Sequence, residues 1–272
     1  MAESRSGMMM DQEYVFLRAE DRSELERLRL IERTLDPASR RRLLATGLQV
    51  GWRCLEIGPG AGSILAWMGE VVGPSGAVCA IDVSTKFLSV QRPPHIDIRQ
   101  EDFRTVDLAP SSFDLVHSRY VLIHMSDYQS VLSKMLACLK PGGWLVLEEP
   151  DFSASRGIEG DTVQLEAVNK VNRAIKTMYD KLGMDYALGL KLPALLQQQR
   201  VYGLAVENDV PLSAGGSGMA TIMKMSAVQL RDKYLATGVV TEQNLDQYRC
   251  FTDNPQAWAI YYGTVAASGQ KP

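Results

Sequence analysis

The stretch RCLEIGPGAGSILAWMGEVVG, residues 53–73, decides the fold of this chain. Its opening residues form a short apolar run that is typical of a buried strand, and its second half has the apolar spacing of a helix. Gly58, Gly60 and Gly62 lie between the two. Glycine permits a tight turn and lets a ligand approach the bare backbone, and the helix that follows offers unbonded amides. The stretch therefore predicts a strand, a ligand-binding turn and a helix.

The same alternation of strand and helix continues after this stretch. The predicted strands are 77–82, 95–99, 112–118 and 144–149, and the predicted amphipathic helix is 128–140. Short apolar strands that alternate with helices favour a parallel sheet covered on both faces. Ligands bind to such sheets at the carboxyl ends of the strands.

Beyond Pro150 the pattern predicts a helical cap and a closing pair of strands. The strands are expected at 201–212 and 258–268, and the main helices at 161–182, 219–237 and 241–250. Two late strands separated by helices would form an antiparallel hairpin at the edge of the sheet. The inserted segments, at about 155–186 and 216–256, would then form the cap.

Two helices are predicted ahead of the first strand. Apolar residues repeat at helical spacing over residues 23–35. We expect Asp36-Pro37 to end this helix and to start another, which Gly47 closes. The arginine triplet at 40–42 could form a basic patch, but we interpret it as a solvated helix face.

The composition is that of an ordinary globular protein. Hydrophobic residues make up 46 % of the 272 residues and charged residues 22 %, which excludes a disordered chain, a collagen-like fibre and a disulfide-stapled miniprotein. The net charge of −3 predicts no nucleic-acid or membrane partner. The four cysteines form no C-x-x-C pair, and we find no secretion signal and no apolar stretch long enough for a membrane helix. A cytoplasmic location is the expectation.

The glycine loop distinguishes between families of nucleotide-binding proteins. A dinucleotide fingerprint needs G-x-G-x-x-G, but position 63 is Ser63, and the Gly-Lys-Ser/Thr end of a P-loop is absent. The spacing G-x-G-x-G resembles the first motif of class I S-adenosylmethionine (SAM) methyltransferases. Asp82 after the second strand, EDF at 101–103, FDLVHSR at 113–119 and LKPGGWLVLEE at 139–149 resemble the later motifs in order and spacing.

This resemblance implies a fold and a cofactor. The expected fold is α/β: a three-layer Rossmann-like sandwich with a seven-stranded, mostly parallel sheet and a C-terminal antiparallel hairpin. Residues 1–47 would form an N-terminal helical lid, and residues 48–272 the SAM-binding domain with its inserted helical cap. The cofactor would be SAM, the product S-adenosylhomocysteine (SAH), and no metal is expected. The implied cofactor-binding residues are Glu56, Gly58, Gly60, Gly62, Asp82, Asp102, Phe103 and Ser118.

Three residues are candidates for catalysis. His124 lies just beyond the fourth strand, where a neutral imidazole could accept a proton, and otherwise it packs the start of the next helix. His117 lies within that strand and is either functional or a packed, hydrogen-bonded residue. Tyr14 could close the pocket from the N-terminal segment or simply pack the lid. Glu148, Glu149 or Asp151 could orient the substrate, or they serve the loop as caps.

The cap is rich in methionine and aromatic residues, which form adaptable apolar walls or the cap's own core. We therefore expect methyl transfer to an oxygen, nitrogen or carbon nucleophile of a largely apolar or aromatic small molecule, such as a specialised metabolite. The alternatives are a non-methylating, cyclase-type catalyst and an accessory SAM-binding protein. A dehydrogenase is disfavoured by the missing third glycine. A homodimer that buries the apolar cap is left open.

Overall fold

A computed structural model of the protein describes Phe16 and residues 21–89 and 91–272. Its α-helices are α1 (Asp21–Ala45), α2 (Ser63–Val72), α3 (Tyr128–Cys138), α4 (Thr162–Lys181), α5 (Leu192–Gln198), α6 (Gly218–Gln229), α7 (Arg231–Leu235) and α8 (Glu242–Asp253). Its strands are β1 (Arg53–Ile57), β2 (Ala77–Asp82), β3 (Ile96–Gln100), β4 (Phe113–Arg119), β5 (Leu139–Asp151), β6 (Arg156–Glu159), β7 (Tyr202–Asp209), β8 (Leu212–Ala214), β9 (Trp258–Ile260) and β10 (Gly263–Gln270). The candidate residue Tyr14 lies outside the described residues.

The main sheet has seven strands within the described residues, in the order β3-β2-β1-β4-β5-β10-β7. The neighbours from β3 to β5 pair in parallel, whereas β10 runs antiparallel to both β5 and β7. This confirms the predicted α/β fold with its C-terminal antiparallel hairpin. The carboxyl ends of β1, β2 and β4 meet at one edge, so residues far apart in sequence converge there.

Both faces of the sheet are covered, because successive residues of a strand point to opposite sides. Cys54 and Leu115 pack with Leu43 of α1 and Met68 of α2 in one apolar cluster. Leu55 and Val116 belong to a second cluster that also contains residues of α3 and of the cap. The described part of the chain therefore forms three layers, as predicted.

The N-terminal segment differs from the prediction, because α1 runs without a break from Asp21 to Ala45 with Pro37 inside it. Proline removes one backbone hydrogen bond and usually interrupts a helix. Here tertiary contacts compensate: Arg119 Nη1 of β4 donates to Asp36 Oδ1 at 3.0 Å and to Ser39 Oγ at 2.9 Å, on either side of the proline. These contacts fix the helix against the sheet at the turn around Pro37, where the sequence predicted that the helix would end.

The closing strands also differ from the prediction, because each predicted strand is divided between two sheets. Residues 258–268 supply β9 and β10, and the run 201–212 ends as β7 before β8 begins at Leu212. The short strands β6, β9 and β8 form a second, antiparallel sheet. A continuous apolar run gives no signal for a change of partner, so only tertiary packing decides where the strand divides.

Among the described residues, no helix is both long and apolar enough to cross a membrane.

Candidate functional site

The turn after β1 adopts backbone conformations that glycine favours. Gly58, Gly60 and Gly62 have φ values of 67°, 62° and 95°. A Cβ atom on Gly58 would lie 2.4 Å from Cγ2 of Val121, and one on Gly62 would lie 2.9 Å from Cδ2 of Leu88. The turn therefore requires glycine both for its dihedral angles and for the close approach of its neighbours.

A cavity of about 460 Å³ opens at this turn. It is lined by six of the eight predicted cofactor-binding residues: Glu56, Gly58, Gly60, Asp82, Asp102 and Phe103. Gly62 is the N-cap of α2, and the buried Ser118 is next to the turn in β4; neither of these two lines the cavity. The strand ends thus bring most of the predicted set to one place, as the parallel topology requires.

Asp82, at the end of β2, is a partly buried carboxylate at the cavity wall. Its Oδ1 accepts a hydrogen bond from the Ser84 amide at 2.9 Å. Burial raises the pKa of Asp82 to about 6, against the opposing effect of backbone amides that include Gly60. A carboxylate that is largely shielded from water can accept hydrogen bonds from a polar ligand, and these bonds would replace those that it no longer makes to water.

Asp102 and Phe103 form a further wall after β3. The carboxylate of Asp102 accepts from the backbone amide of Arg104 at 2.9 Å and from its Nη2 at 2.7 Å. Although burial opposes it, the hydrogen bonds from Arg104 lower the pKa of Asp102. Phe103 is buried and adds apolar surface. Arg104, which sequence reasoning did not single out, also lines the cavity.

His117 does not line the cavity but is buried beneath the glycine turn between two carboxylates. Its Nδ1 lies 2.8 Å from Glu56 Oε2, and its Nε2 lies 3.1 Å from Glu148 Oε1. Burial alone would lower the pKa of His117, but the charges and hydrogen bonds of the two glutamates raise it to about 9. The imidazolium therefore donates to both carboxylates at neutral pH, and it fixes Glu56 at the cavity wall.

Arg42 continues this buried network from α1. Its Nη1 donates to Glu148 Oε2 at 2.7 Å, and its other nitrogens pair with Glu207 and Asp209 of β7. The Arg42 side chain is only 5 % exposed, so the prediction of a solvated arginine face at 40–42 is wrong for this residue. The reason is that α1 lies across the sheet edge, where these carboxylates need a cation.

The other carboxylates at the end of β5 also bond to protein groups. Glu149 accepts hydrogen bonds from the amides of Val121, Leu122 and Ile123, and burial raises the pKa of Glu149 to about 8. Asp151 accepts from Ser153 N at 2.8 Å. Neither glutamate at 148–149 lines the cavity, and Asp151 does not either. Of the two interpretations of these carboxylates, the geometry agrees with loop capping and ion pairing.

His124 lies in a 3-10 turn after β4 and lines the cavity. Burial lowers the pKa of His124 to about 3, and the charges of Arg27 and Lys233 act in the same direction. The imidazole is therefore neutral throughout the physiological range, and a neutral ring can accept one hydrogen bond.

Part of the methionine-rich cap faces the same cavity. Met178, Tyr179, Met223 and Tyr234 line it, whereas Met184, Met219, Tyr248 and Phe251 are buried elsewhere in the cap. The wall also contains an ion pair of α1 that sequence reasoning missed: Arg27 Nε and Nη2 each donate to Glu24 at 2.8 Å. An i, i+3 pair is common on solvated helix surfaces, so nothing in the spacing of these two residues indicates that the pair is buried.

Within the described residues, no group of three or more histidine, cysteine, aspartate or glutamate side chains is arranged to hold a metal ion. The residues present do suit a nucleoside-containing cofactor. The turn leaves bare backbone where a Cβ would clash, Asp82 offers a desolvated acceptor, and Phe103 offers an apolar wall.

Comparison with known proteins agrees with this geometry. Methyltransferase str2 of Strobilurus tenacellus is 27 % identical over 191 residues, which cover 65 % of each chain. In seven other curated relatives, the match spans less than half of the relative's own length, 36–47 %. Among solved structures, phosphoethanolamine N-methyltransferase 2 of Haemonchus contortus, in complex with SAH, matches with a TM-score of 0.52 and 17 % identity over 82 % of this chain and 50 % of that one. The cyclase SpnF matches with a TM-score of 0.51 and 17 % identity over 87 % of this chain and 81 % of that one.

The two structural matches show the fold alone, whereas the family is shown by the sequence. Residues 20–185, more than half of the chain, match the family described as a methyltransferase domain. That range includes the glycine turn, Asp82, Asp102 and the strand that holds His117. The chain therefore belongs to the methyltransferase domain family and has the Rossmann-like fold of the class I SAM-dependent methyltransferases.

Proposed function

We propose that the protein transfers the methyl group of SAM to an oxygen, nitrogen or carbon nucleophile of a largely apolar or aromatic small molecule. The observation that carries the proposal is one cavity with two kinds of wall. Its sheet side has the glycine turn and Asp82, and its cap side has Met178, Met223 and aromatic rings. A cofactor and an apolar acceptor would therefore share one cavity.

The residues of the sheet side would hold the cofactor. Asp82 would accept hydrogen bonds from the ribose hydroxyls, Phe103 would pack against the adenine, and Asp102 would lie at its amino edge. The backbone of Gly58 and Gly60 would face the methionyl end, with Glu56 held in place by His117 at 2.8 Å. When bound, SAM supplies a methyl group that its sulfonium already makes electrophilic.

The protein's task is then to orient the nucleophile and to exclude water. Side chains of the cap and of α1 form part of the cavity wall and so restrict the access of water. His124 would accept a hydrogen bond from a hydroxyl or amine nucleophile and so orient it. Its lowered pKa, about 3, makes it a weak base. We therefore propose for His124 an orienting role rather than full proton removal before transfer.

The test is turnover with SAM and a panel of aromatic phenols, amines and electron-rich rings, analysed by mass spectrometry. A gain of one methyl group together with SAH formation supports the proposal. SAH binding without any methylated product across the panel contradicts it. An isomer of unchanged mass would instead support the cyclase-type alternative. His124→Gln tests the orienting role, and Tyr248→Phe, in the cap but outside the cavity, is the control variant.

A further inference from the structure

Two tyrosine hydroxyls stand out in the apolar half of the cavity. Tyr179 of α4 and Tyr234 of α7 line the cavity and are only 4 % and 2 % exposed. Neither hydroxyl makes a hydrogen bond to any other residue in the part of the chain that the structure describes. Neither hydroxyl oxygen is among the described atoms that are both shut off from solvent and unpaired, so both open onto the cavity. Two tyrosines that present unbonded hydroxyls to one cavity wall point to a ligand with a hydrogen-bond acceptor.

Both hydroxyls remain protonated and are therefore hydrogen-bond donors. Burial raises the pKa of Tyr179 and of Tyr234 above the ordinary tyrosine value, and the charge of Arg27 opposes that rise at both. The helices that carry the two tyrosines, α4 and α7, pack against each other, and both tyrosines line the same cavity as Arg27 of α1. The two hydroxyl groups therefore belong to one region of the cavity wall.

Two cations, Arg27 and Lys233, act on the neighbouring His124, and of these two only Arg27 lines the cavity. Arg27 forms a two-point ion pair with Glu24, with both N–O distances 2.8 Å, and its guanidinium lies 3.7 Å from the centre of the Phe16 ring. The neighbouring His124 is neutral. The charge of Arg27 is already balanced by Glu24, so an anionic ligand beside Arg27 would be repelled by the carboxylate of Glu24. An uncharged acceptor avoids that cost.

We propose that Tyr179 and Tyr234 donate hydrogen bonds to a carbonyl oxygen of the methyl acceptor, which makes the substrate an apolar or aromatic carbonyl compound. This inference rests on the proposed function, because it assigns the acceptor to the cap half of the same cavity. Two hydroxyl donors from two cap helices would fix the carbonyl end, so that the rest of an apolar molecule extends along Met178 and Met223 toward the glycine turn. A molecule of the same shape without the oxygen would leave both donors unsatisfied.

Binding of three matched probes to the SAH-loaded protein tests the inference. The probes are acetylnaphthalene, ethylnaphthalene and naphthoate, each substituted at the same ring carbon and measured by equilibrium dialysis. We expect acetylnaphthalene to bind about tenfold more tightly than ethylnaphthalene, since one satisfied donor pair is worth about 1–2 kcal/mol. The Tyr179→Phe/Tyr234→Phe double variant should reduce that preference to less than about twofold.

Tyr248→Phe is the matched control, because it removes a buried cap hydroxyl that does not line the cavity, and it should keep the tenfold preference. SAH affinity and the thermal midpoint report whether each variant is folded. If the double variant is not folded, each of the two single variants should reduce the preference for acetylnaphthalene over ethylnaphthalene by about threefold. Equal binding of the ketone and the ethyl compound by the native protein, including no binding of either, overturns the inference. Tighter binding of naphthoate than of the ketone also overturns the inference, and would indicate that an anionic ligand binds at Arg27.

The outcomes separate this inference from the proposed function. Dialysis needs no turnover, so a ketone preference that disappears in the double variant stands even when no methyl transfer is found. Conversely, methyl transfer to a substrate without a carbonyl, with no ketone preference in dialysis, leaves the proposed function intact and removes this inference alone.

Discussion

The affinity for SAH should depend on pH through Asp82. The pKa of this buried carboxyl is raised to about 6, and only its ionised form can accept a hydrogen bond at both oxygens. The ionised fraction is about 99 % at pH 8 and about 9 % at pH 5. If binding requires the ionised form, the dissociation constant rises about tenfold between these pH values, which is about 1.4 kcal/mol. Affinity is therefore lost as the pH falls through 6.

Isothermal titration calorimetry with SAH at four pH values between 5 and 8 measures this dependence, with far-UV circular dichroism as the check on folding. The matched variant is Asp82→Asn, which keeps the shape but cannot titrate. It should bind SAH more weakly at pH 8 by about 1–3 kcal/mol, and its affinity should vary little with pH. Equal affinity of the native protein at pH 5 and pH 8, or the same fall in Asp82→Asn, would refute the reasoning.

Three further predictions concern stability and the glycine turn. Folding raises the pKa of His117 from 6.5 to about 9, so protonated His117 stabilises the folded state fully below pH 6.5, and this stabilisation is lost as the pH rises through 9. In urea unfolding, the free energy of unfolding should fall by about 3 kcal/mol over this range, and His117→Gln should not show this fall. Arg42→Met should cost about 3–5 kcal/mol in the same assay, because it leaves buried carboxylates unpaired, whereas Arg41→Met, at a side chain 60 % exposed, should cost less than about 1 kcal/mol; similar losses for both would contradict this. Gly58→Ala should abolish SAH binding in calorimetry because its Cβ would lie 2.4 Å from Val121, and Val121→Ala should partly restore it; undiminished binding by Gly58→Ala would show that the turn adapts.

Much of the cofactor half of the cavity could be predicted because its signals are local. Short stretches of neighbouring residues are enough to recognise a glycine turn between a strand and a helix, or a carboxylate at the end of the next strand. Parallel pairing then places the ends of β1, β2 and β3 at one edge, which is why Glu56, Asp82 and Asp102 line a common cavity. Ser118, whose backbone was expected to face the methionyl end of SAM, does not line that cavity, because a position near the end of a strand does not by itself decide whether a residue reaches the cavity wall.

The polar interior could not be predicted, because its partners are far apart in the chain. Arg42 and Glu148 are separated by 106 positions, and the sequence indicates no contact between them. The packing of α1 across the sheet makes them a buried pair, whereas the pairing of β4 with β5 places His117 beside Glu148. The same contact between α1 and the sheet keeps the helix continuous through Pro37, against a strong local signal.

The sequence by itself determined the order of strands and helices, the glycine turn and the family, since these depend on periodicity and on motifs of neighbouring residues. Tertiary structure alone decided which charges are buried, where the run 258–268 divides between two sheets, and which cap side chains face the cavity. Tyr179 and Tyr248 are both buried cap tyrosines, yet only Tyr179 lines the cavity. That difference follows from which face each cap helix presents to the cavity, and this depends on side-chain packing between segments distant in sequence.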